Sequence, residues 1–346
     1  MKSQYVADLD PGTRIDTSFL VQSKERKIAR NGSAYLDLIL RDSTGSIRAK
    51  LWDCDRPGLD FEQDDVVSVT GLLENYQGTP QLTIRKITRL HIEGLDLIDY
   101  LPRTRHDPDQ MFGQLFDRIE QLPETPLREL LLAIFTDPEI TTRYKLAPAA
   151  VVMHHAFLGG LLEHVTSLLD LADRVCDHYA WLDRSLIFAG LLLHDLGKVE
   201  EINFDRSFRY TTRGQLLGHI TIGIEMIQEK IRSLPGFPAP LRDKILHLVL
   251  SHHGKADFGS PKEPVFPEAL VVHYLDDLDS KLQSMCEQYE ADKNRQGEWT
   301  GRNRALGREL LKVARPEEPR EALSAVAAAG DQNTGKAPLQ HAEEKP

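Results

Sequence analysis

The sequence is poor in cysteine. Cys54, Cys176 and Cys286 are the only three, far apart and without a CxxC pair. They cannot all pair with one another, and a reduced, cytoplasmic protein is the simpler reading. No run of about 18 apolar residues occurs, so neither a membrane-spanning helix nor a membrane partner is expected. The opening MKSQYVADLDPG has no basic segment followed by an apolar one, which argues against a secretory leader. Positive charge is also short. Against 53 Asp and Glu stand 42 Lys and Arg, for a formal net charge of -11. That counts against a protein coating nucleic acid through a broad basic face. It leaves a nuclease open, because a carboxylate-rich metal site adds negative charge and a local basic groove can sit on an acidic body. No internal repeat is visible.

What is present divides in two. At roughly 100–200 residues per domain, a chain of 346 residues predicts about two domains. Residues 1–95 read as β. Alternating runs recur at Ala34–Leu40, Ile47–Trp52, Val66–Leu73 and Gln81–Leu90, separated by turn residues such as Asn31-Gly32 and Ser43-Thr44-Gly45. Short strands at this spacing predict a small barrel or sandwich. Residues 96–106 read as a linker with Pro102. From Asp107 the period becomes helical: Met111, Leu115, Ile119 and Leu122 share one face, behind an Asp107-Pro108 start. Helical runs continue at Leu127–Phe135, Leu158–Val175, Leu186–Leu193, Ile220–Ile231, Leu241–Leu250 and His273–Met285. Residues 107–314 are therefore expected to be essentially all-α. Residues 315–346, rich in Pro, Glu, Ala and Gly, read as a disordered tail.

Most of the 13 histidines crowd between His154 and His273. The informative ones have distinct contexts. His164 follows Gly159-Gly160-Leu161-Leu162-Glu163. His194-Asp195 opens His-Asp-Leu-Gly-Lys after an apolar run. His219 follows Gly218, His252-His253-Gly254 ends a helical run, and Asp276-Asp277 lies in the last one. Imidazole and carboxylate suit borderline divalent metals such as Mn, Fe, Co, Ni or Zn. A helical bundle gathers such ligands from several helices, so they can be far apart in sequence and still converge. A lone His-Asp pair is weak evidence, but the ordered set is strong. His154 and His155 are open between a substrate-phosphate contact and a helix cap. His247 and His273 read as packing or surface histidines, and Gly197 as a turn or close-approach residue.

The ordered set resembles the HD superfamily of metal-dependent phosphohydrolases. HHAFLGGLLEHV, LLLHDLGKVEEI, the GHI segment and SHHG, behind a β-rich domain, are similar to the YhaM-type 3'-5' exoribonucleases. The segment GSAYLDLILRDSTGSIRAKLWD resembles an OB-fold core. The resemblance covers about residues 10–310. It implies an N-terminal OB-fold β-barrel followed by an HD-domain helical bundle. Its first metal ligand falls on His164, its paired ligands on His194 and Asp195, and its last on Asp276. His219 and His252 match positions that hold a second metal in binuclear members, with His253 as a replacement for or addition to His252. Gly160 stands where binuclear signalling phosphodiesterases carry a glutamate, which points away from a fully binuclear site. One or two divalent ions per chain are implied, manganese first. Asp195 and Lys198 become the catalytic pair, Lys198 as a phosphate contact.

The implied reaction is metal-dependent 3'-5' hydrolysis of single-stranded RNA, or of DNA, to nucleoside monophosphates. In the barrel, Tyr35 and Trp52 are then candidate base-stacking residues, with Tyr76 a weaker one. Lys24, Arg26, Lys27 and Arg30 form a cationic loop rimming the groove. Against these stand plain core residues and a solvated loop. A homo-oligomer would multiply the weak grip of one barrel. Two rivals remain at this point. One is an HD nucleotidase or cyclic-dinucleotide phosphodiesterase with a regulatory barrel, disfavoured by the OB segment and the lack of a GYP signature. The other is a non-catalytic nucleic-acid-binding protein, disfavoured by the intact ligand set.

Overall fold

The computed structural model describes residues 2–29, 31–52, 54, 59–76, 79–91, 99–123, 125–151, 155–205, 207–293 and 295–313. Strands β1 (Arg14–Ile28), β2 (Ala34–Asp42), β3 (Gly45–Trp52), β4 (Val66–Tyr76) and β5 (Thr79–Arg89) close a barrel in the order β1-β2-β3-β5-β4. All neighbours are antiparallel except β3 and β5. Period-two alternation decides which side is core. In β3, Ile47, Ala49 and Leu51 point inward, while Ser46, Arg48 and Trp52 are exposed. This is the expected OB-type barrel.

The first strand is a difference from the expectation. Lys24, Arg26 and Lys27 lie within β1, paired to β2 as Lys24↔Leu38, Arg26↔Leu36 and Lys27↔Tyr35. The strand continues through the charged run because β2 supplies its backbone partners. Arg30 lies outside the described residues.

The helical part carries α1 (Pro108–Glu120), α2 (Pro126–Phe135), α3 (Pro138–Leu146), α4 (Gly160–His178), α5 (Arg184–Leu193), α6 (Lys198–Glu201), α7 (Thr212–Arg232), α8 (Ala239–Ser251) and α9 (Pro267–Ala291). Asp107 caps α1 by accepting from the amides of Asp109 and Gln110, with Pro108 in the first turn. Helix α5 is buried from Leu186 to Leu193 and forms the centre of the bundle. Helix α3, capped by Asp137, escaped the sequence reading because PEITTRYKL shows almost no apolar stripe. Two hairpins also interrupt the all-α expectation: β6 (Ile202–Asn203) with β7 (Arg209–Tyr210), and β8 (Trp299–Asn303) with β9 (Arg308–Leu311).

Among the described residues, those up to Glu287 form one compact unit and those from Gln288 to Val313 a second. Within the second, Tyr289 donates to the Leu311 carbonyl, and Asp292 accepts from the amide of Gly301. Within the first, the barrel and the helices share core. Leu20 of β1 and Val66 of β4 are buried in the same apolar cluster as Tyr100, Leu101, Met111 and Leu115. Ser18 and Tyr100 hydroxyls lie 2.7 Å apart, and Arg209 of β7 pairs with Asp64 beside the barrel. Among the described residues no helix is long and apolar enough to cross a membrane. The tail, residues 315–346, lies outside the described residues.

Candidate metal centre and nucleic-acid interface

Five stretches of chain deliver the polar cluster. His164 sits on the buried face of α4. His194 caps the C-terminus of α5, with Asp195 next and Lys198 opening α6. His219 follows Gly218, whose φ of 71° breaks the helical path of α7. His252 caps α8, with His253 after it. Asp276 faces inward from α9. Gly197 is a close-approach residue, as its context predicted. A Cβ there would meet the His219 carbonyl at 2.0 Å, so only glycine lets α7 bring His219 beside Asp195.

Two triads result. The ligand atoms of His164, His194 and Asp276 all lie within 4.8 Å of one another, and so do those of His219, His252 and His253. Asp195 stands between them. Its Oδ2 is 3.2 Å from His194 Nε2, and its Oδ1 is 3.5 Å from His219 Nε2 and 3.9 Å from His252 Nε2. Asp276 Oδ1 lies 3.2 Å from His164 Nε2 and 3.8 Å from His194 Nε2.

Four imidazoles are fixed from behind. Nδ1 of His194 meets the Leu191 carbonyl at 2.9 Å, and Nδ1 of His252 the Val249 carbonyl at 2.7 Å. Nδ1 of His164 meets Asp279 at 2.8 Å, and Nδ1 of His219 meets Glu201 at 3.3 Å. Their Nε2 atoms are thereby aimed at the cluster. Nε2 of His194, His219 and His252, Nδ1 of His253 and Oδ1 of Asp195 are buried without a hydrogen-bond partner. Buried polar atoms are nearly always satisfied. Five orphaned atoms around shared points, all imidazole or carboxylate donors, fit divalent cations.

The electrostatics agree. Burial, with His253 alongside, pushes His252 well below the ordinary imidazole range, and burial with His219 lowers His253. Both are neutral, the form that ligates metal. Burial opposes the charge of Asp195, yet Lys198 and His194 hold its carboxyl well below the usual range. Lys198 is likewise opposed by burial and raised by Asp195, whose Oδ2 is 2.7 Å from its Nζ. His164 is buried, but Asp276 and Asp279 raise it to about 9, so a cation entering there displaces a proton.

Gly160 also finds its reason. A Cβ there would meet the His155 carbonyl at 2.1 Å, so no glutamate fits. His155 itself is 4% exposed, at a φ of 52°, with Nε2 3.5 Å from Asp279. It belongs to the wall behind His164. His154 lies outside the described residues. His273 accepts no place among the ligands; its Nδ1 lies 2.7 Å from the His252 carbonyl, and Nε2 of His247 accepts from the Val265 amide.

The barrel presents a second constellation. Tyr35 and Trp52 are cross-strand partners on β2 and β3, with ring centroids 5.0 Å apart. The Lys50 ammonium lies over the rings of Tyr35, Trp52 and Tyr76 at 5.3, 6.0 and 5.0 Å. Trp52 is 41% and Tyr76 53% exposed. The neighbouring groove is lined by Ser23, Glu25, Lys27, Asp37, Ile39 and Arg48. Lys24 pairs with Glu62 at 3.0 Å and Lys27 with Asp37 at 2.6 Å, so neither is a bare charge. The Arg48 guanidinium on Asp37 holds that carboxyl down to about 2.

Sequence reasoning missed Asp279, Glu201 and Lys50. Each carried a signal. Asp279 is one helical turn beyond Asp276, Glu201 one turn beyond Lys198, and Lys50 alternates with Arg48 and Trp52 on the outward side of a strand.

The family model for the HD domain matches residues 161–281, and that for the OB-fold nucleic acid binding domain matches residues 20–90. The 3'-5' exoribonuclease YhaM of Bacillus subtilis is 36% identical over 299 residues, covering 85% of this chain and 93% of that protein. Its namesake in Bacillus pumilus is 37% identical over 303 residues, covering 86% and 94%. The one in Geobacillus is 36% identical over 306 residues, covering 87% and 92%.

Proposed function

The chain belongs to the family of the YhaM 3'-5' exoribonucleases, and on that premise we propose that it hydrolyses single-stranded RNA from the 3' end, releasing nucleoside monophosphates. The observation that carries the reading is the set of orphaned imidazole and carboxylate atoms around Asp195. We read residues 1–95 as the substrate grip, 107–314 as the hydrolase and 96–106 as the segment between them. The three cysteines form no disulfide, in keeping with a reduced cytoplasm.

In this reading His164, His194, Asp195 and Asp276 would hold one divalent cation. His219, His252 and His253, with Asp195 between the two triads, would hold a second, so two ions are favoured despite Gly160. Manganese is our first choice within the class that imidazole and carboxylate accept. Divalent cations bound there polarise the scissile phosphate and lower the pKa of water at the site. The protein supplies the rest. Asp195 keeps the two triads in register, because each of its oxygens faces a different one. Lys198 remains an ammonium, so it cannot act as a base, and its charge offsets negative charge developing on phosphate. Tyr35, Trp52 and Tyr76 stack bases, and Lys50 contacts the backbone. Lys24 and Lys27 are secondary, since both are already paired with carboxylates, and Arg26 is grouped with them. A homo-oligomer would add avidity to one small barrel.

The test is a panel of divalent cations with single-stranded RNA and DNA labelled at the 5' end, with free and blocked 3' ends. A ladder shortening from the free 3' end, faster for RNA, is the expected result. No shortening with any cation, or cleavage of cyclic dinucleotides alone, would overturn the reading.

A further inference from the structure

The four fixed imidazoles differ in what fixes them. His194 and His252 use backbone carbonyls three residues earlier, which any sequence could provide. His164 uses a carboxylate from another helix. We infer that Asp279 is a positioning residue of the metal centre: it sets the tautomer and ring direction of His164 and strengthens its Nε2 as a donor. The inference rests on the metal reading above and deepens it.

Helices α4 and α9 meet through two residues each, spaced by three and so adjacent on one helical face. His164 and Ser167 come from α4, Asp276 and Asp279 from α9. Asp276 faces Nε2 of His164 at 3.2 Å, on the side of the triad. Asp279 faces Nδ1 at 2.8 Å, on the opposite side of the ring. Its other oxygen accepts from the Ser167 hydroxyl at 2.6 Å. Both oxygens of Asp279 are therefore committed, whereas Asp276 is turned into the triad. His155, His164 and Asp279 also lie close enough together to hold a cation of their own. That would require His164 to ligate through Nδ1, the atom whose proton Asp279 accepts. An outer carboxylate on a ligand imidazole fixes the ring and raises its basicity, and its loss costs about 10-fold to 100-fold in metal affinity. Glu201 stands in a similar relation to His219, with longer ring contact at 3.3 Å and a second bond, at 2.9 Å, from the His219 amide.

The full-length, metal-stripped protein is titrated with zinc against a chromophoric chelator, and the melting temperature is measured without metal. Asp279→Ala is expected to weaken binding at one site by about 10-fold to 100-fold. Asp279→Asn keeps an acceptor for Nδ1–H and is expected to recover most of that loss. Should Asp279→Ala not fold, Asp279→Leu, which fills the volume and lacks both acceptors, takes its place. A structural role alone would lower the metal-free melting temperature and leave zinc affinity as in the wild type; that result overturns the inference. So does Asp279→Asn binding as weakly as Asp279→Ala. Wild-type protein that binds no zinc would overturn the metal reading itself, separately from the role of Asp279.

Discussion

In the helical domain the polar groups around Asp195 are buried and held on every side; on the barrel the polar and aromatic groups are half in water. His194 and His252 are fully buried and each ring has one fixed partner. Trp52 and Tyr76 expose about half their surface, and Lys50 rides over both rings. The first arrangement is suited to charge that develops at one point, where reorganisation would cost rate. The second is suited to a polymer that must slip by one nucleotide after each cut, where stacking tolerates every base. On the proposed reading, rigid chemistry and yielding grip occupy different halves, and each predicts its own kinetic signature.

The strongest way to break that contrast is Asp195→Ala. It removes the residue facing both triads and the partner of Lys198. Turnover should fall by more than about 10³-fold, beyond the 10²–10³ typical of one lost electrostatic contact. Bound metal, read by elemental analysis, should fall with it while the helical circular dichroism stays. Near-normal turnover would remove Asp195 from the centre.

Lys198→Ala sharpens the same side. It should lower kcat by about 10²-fold and leave bound metal nearly unchanged, since an ammonium has no lone pair to ligate with. Loss of metal as severe as in Asp195→Ala would make Lys198 a structural clamp instead.

Trp52→Ala tests the barrel. Each stacked base is worth about 1–3 kcal/mol, or roughly 5-fold to 150-fold in Kd for single-stranded RNA. Hydrolysis of bis-p-nitrophenyl phosphate, too small to reach the barrel, should not change. If that small substrate also suffers, grip and chemistry are not separable.

Lys50→Gln should have the smallest effect. Losing one phosphate contact on a single strand should reduce the slope of log affinity against log salt by about 0.7. An unchanged slope would make Lys50 only a prop for the three rings.

Much of this is legible in the sequence. Strict alternation in Gly45–Trp52 and the unbroken apolar run of α5 identify their own neighbours. Strand β1 was hidden because Lys24-Glu25-Arg26-Lys27 looks solvated, and only the pairing with β2 makes it a strand. The candidate metal ligands stand out in the sequence because imidazoles in that order have few other uses. Their outer partners do not, since an aspartate in a helix does not announce which way it faces. Among Asp276, Asp277 and Asp279, the period of 3.6 turns the first and third inward and leaves Asp277 to pair with Lys281 at 2.7 Å. That inference was available from spacing alone, but it needed the position of α4 to give it meaning.

Leu20 and Val66 leave the barrel to join the helical core, and this has a consequence for inheritance. Two halves joined only by a tether can be exchanged between relatives like interchangeable parts. Here a transplanted barrel would arrive with its own residues at those two positions and at Asp64, facing a Tyr100, a Leu101 and an Arg209 shaped for others. Mismatched packing there costs about 1–3 kcal/mol per poorly fitted side chain. A chimera would need its seam residues moved together with the barrel, so the heritable module is larger than the barrel drawn by its strands.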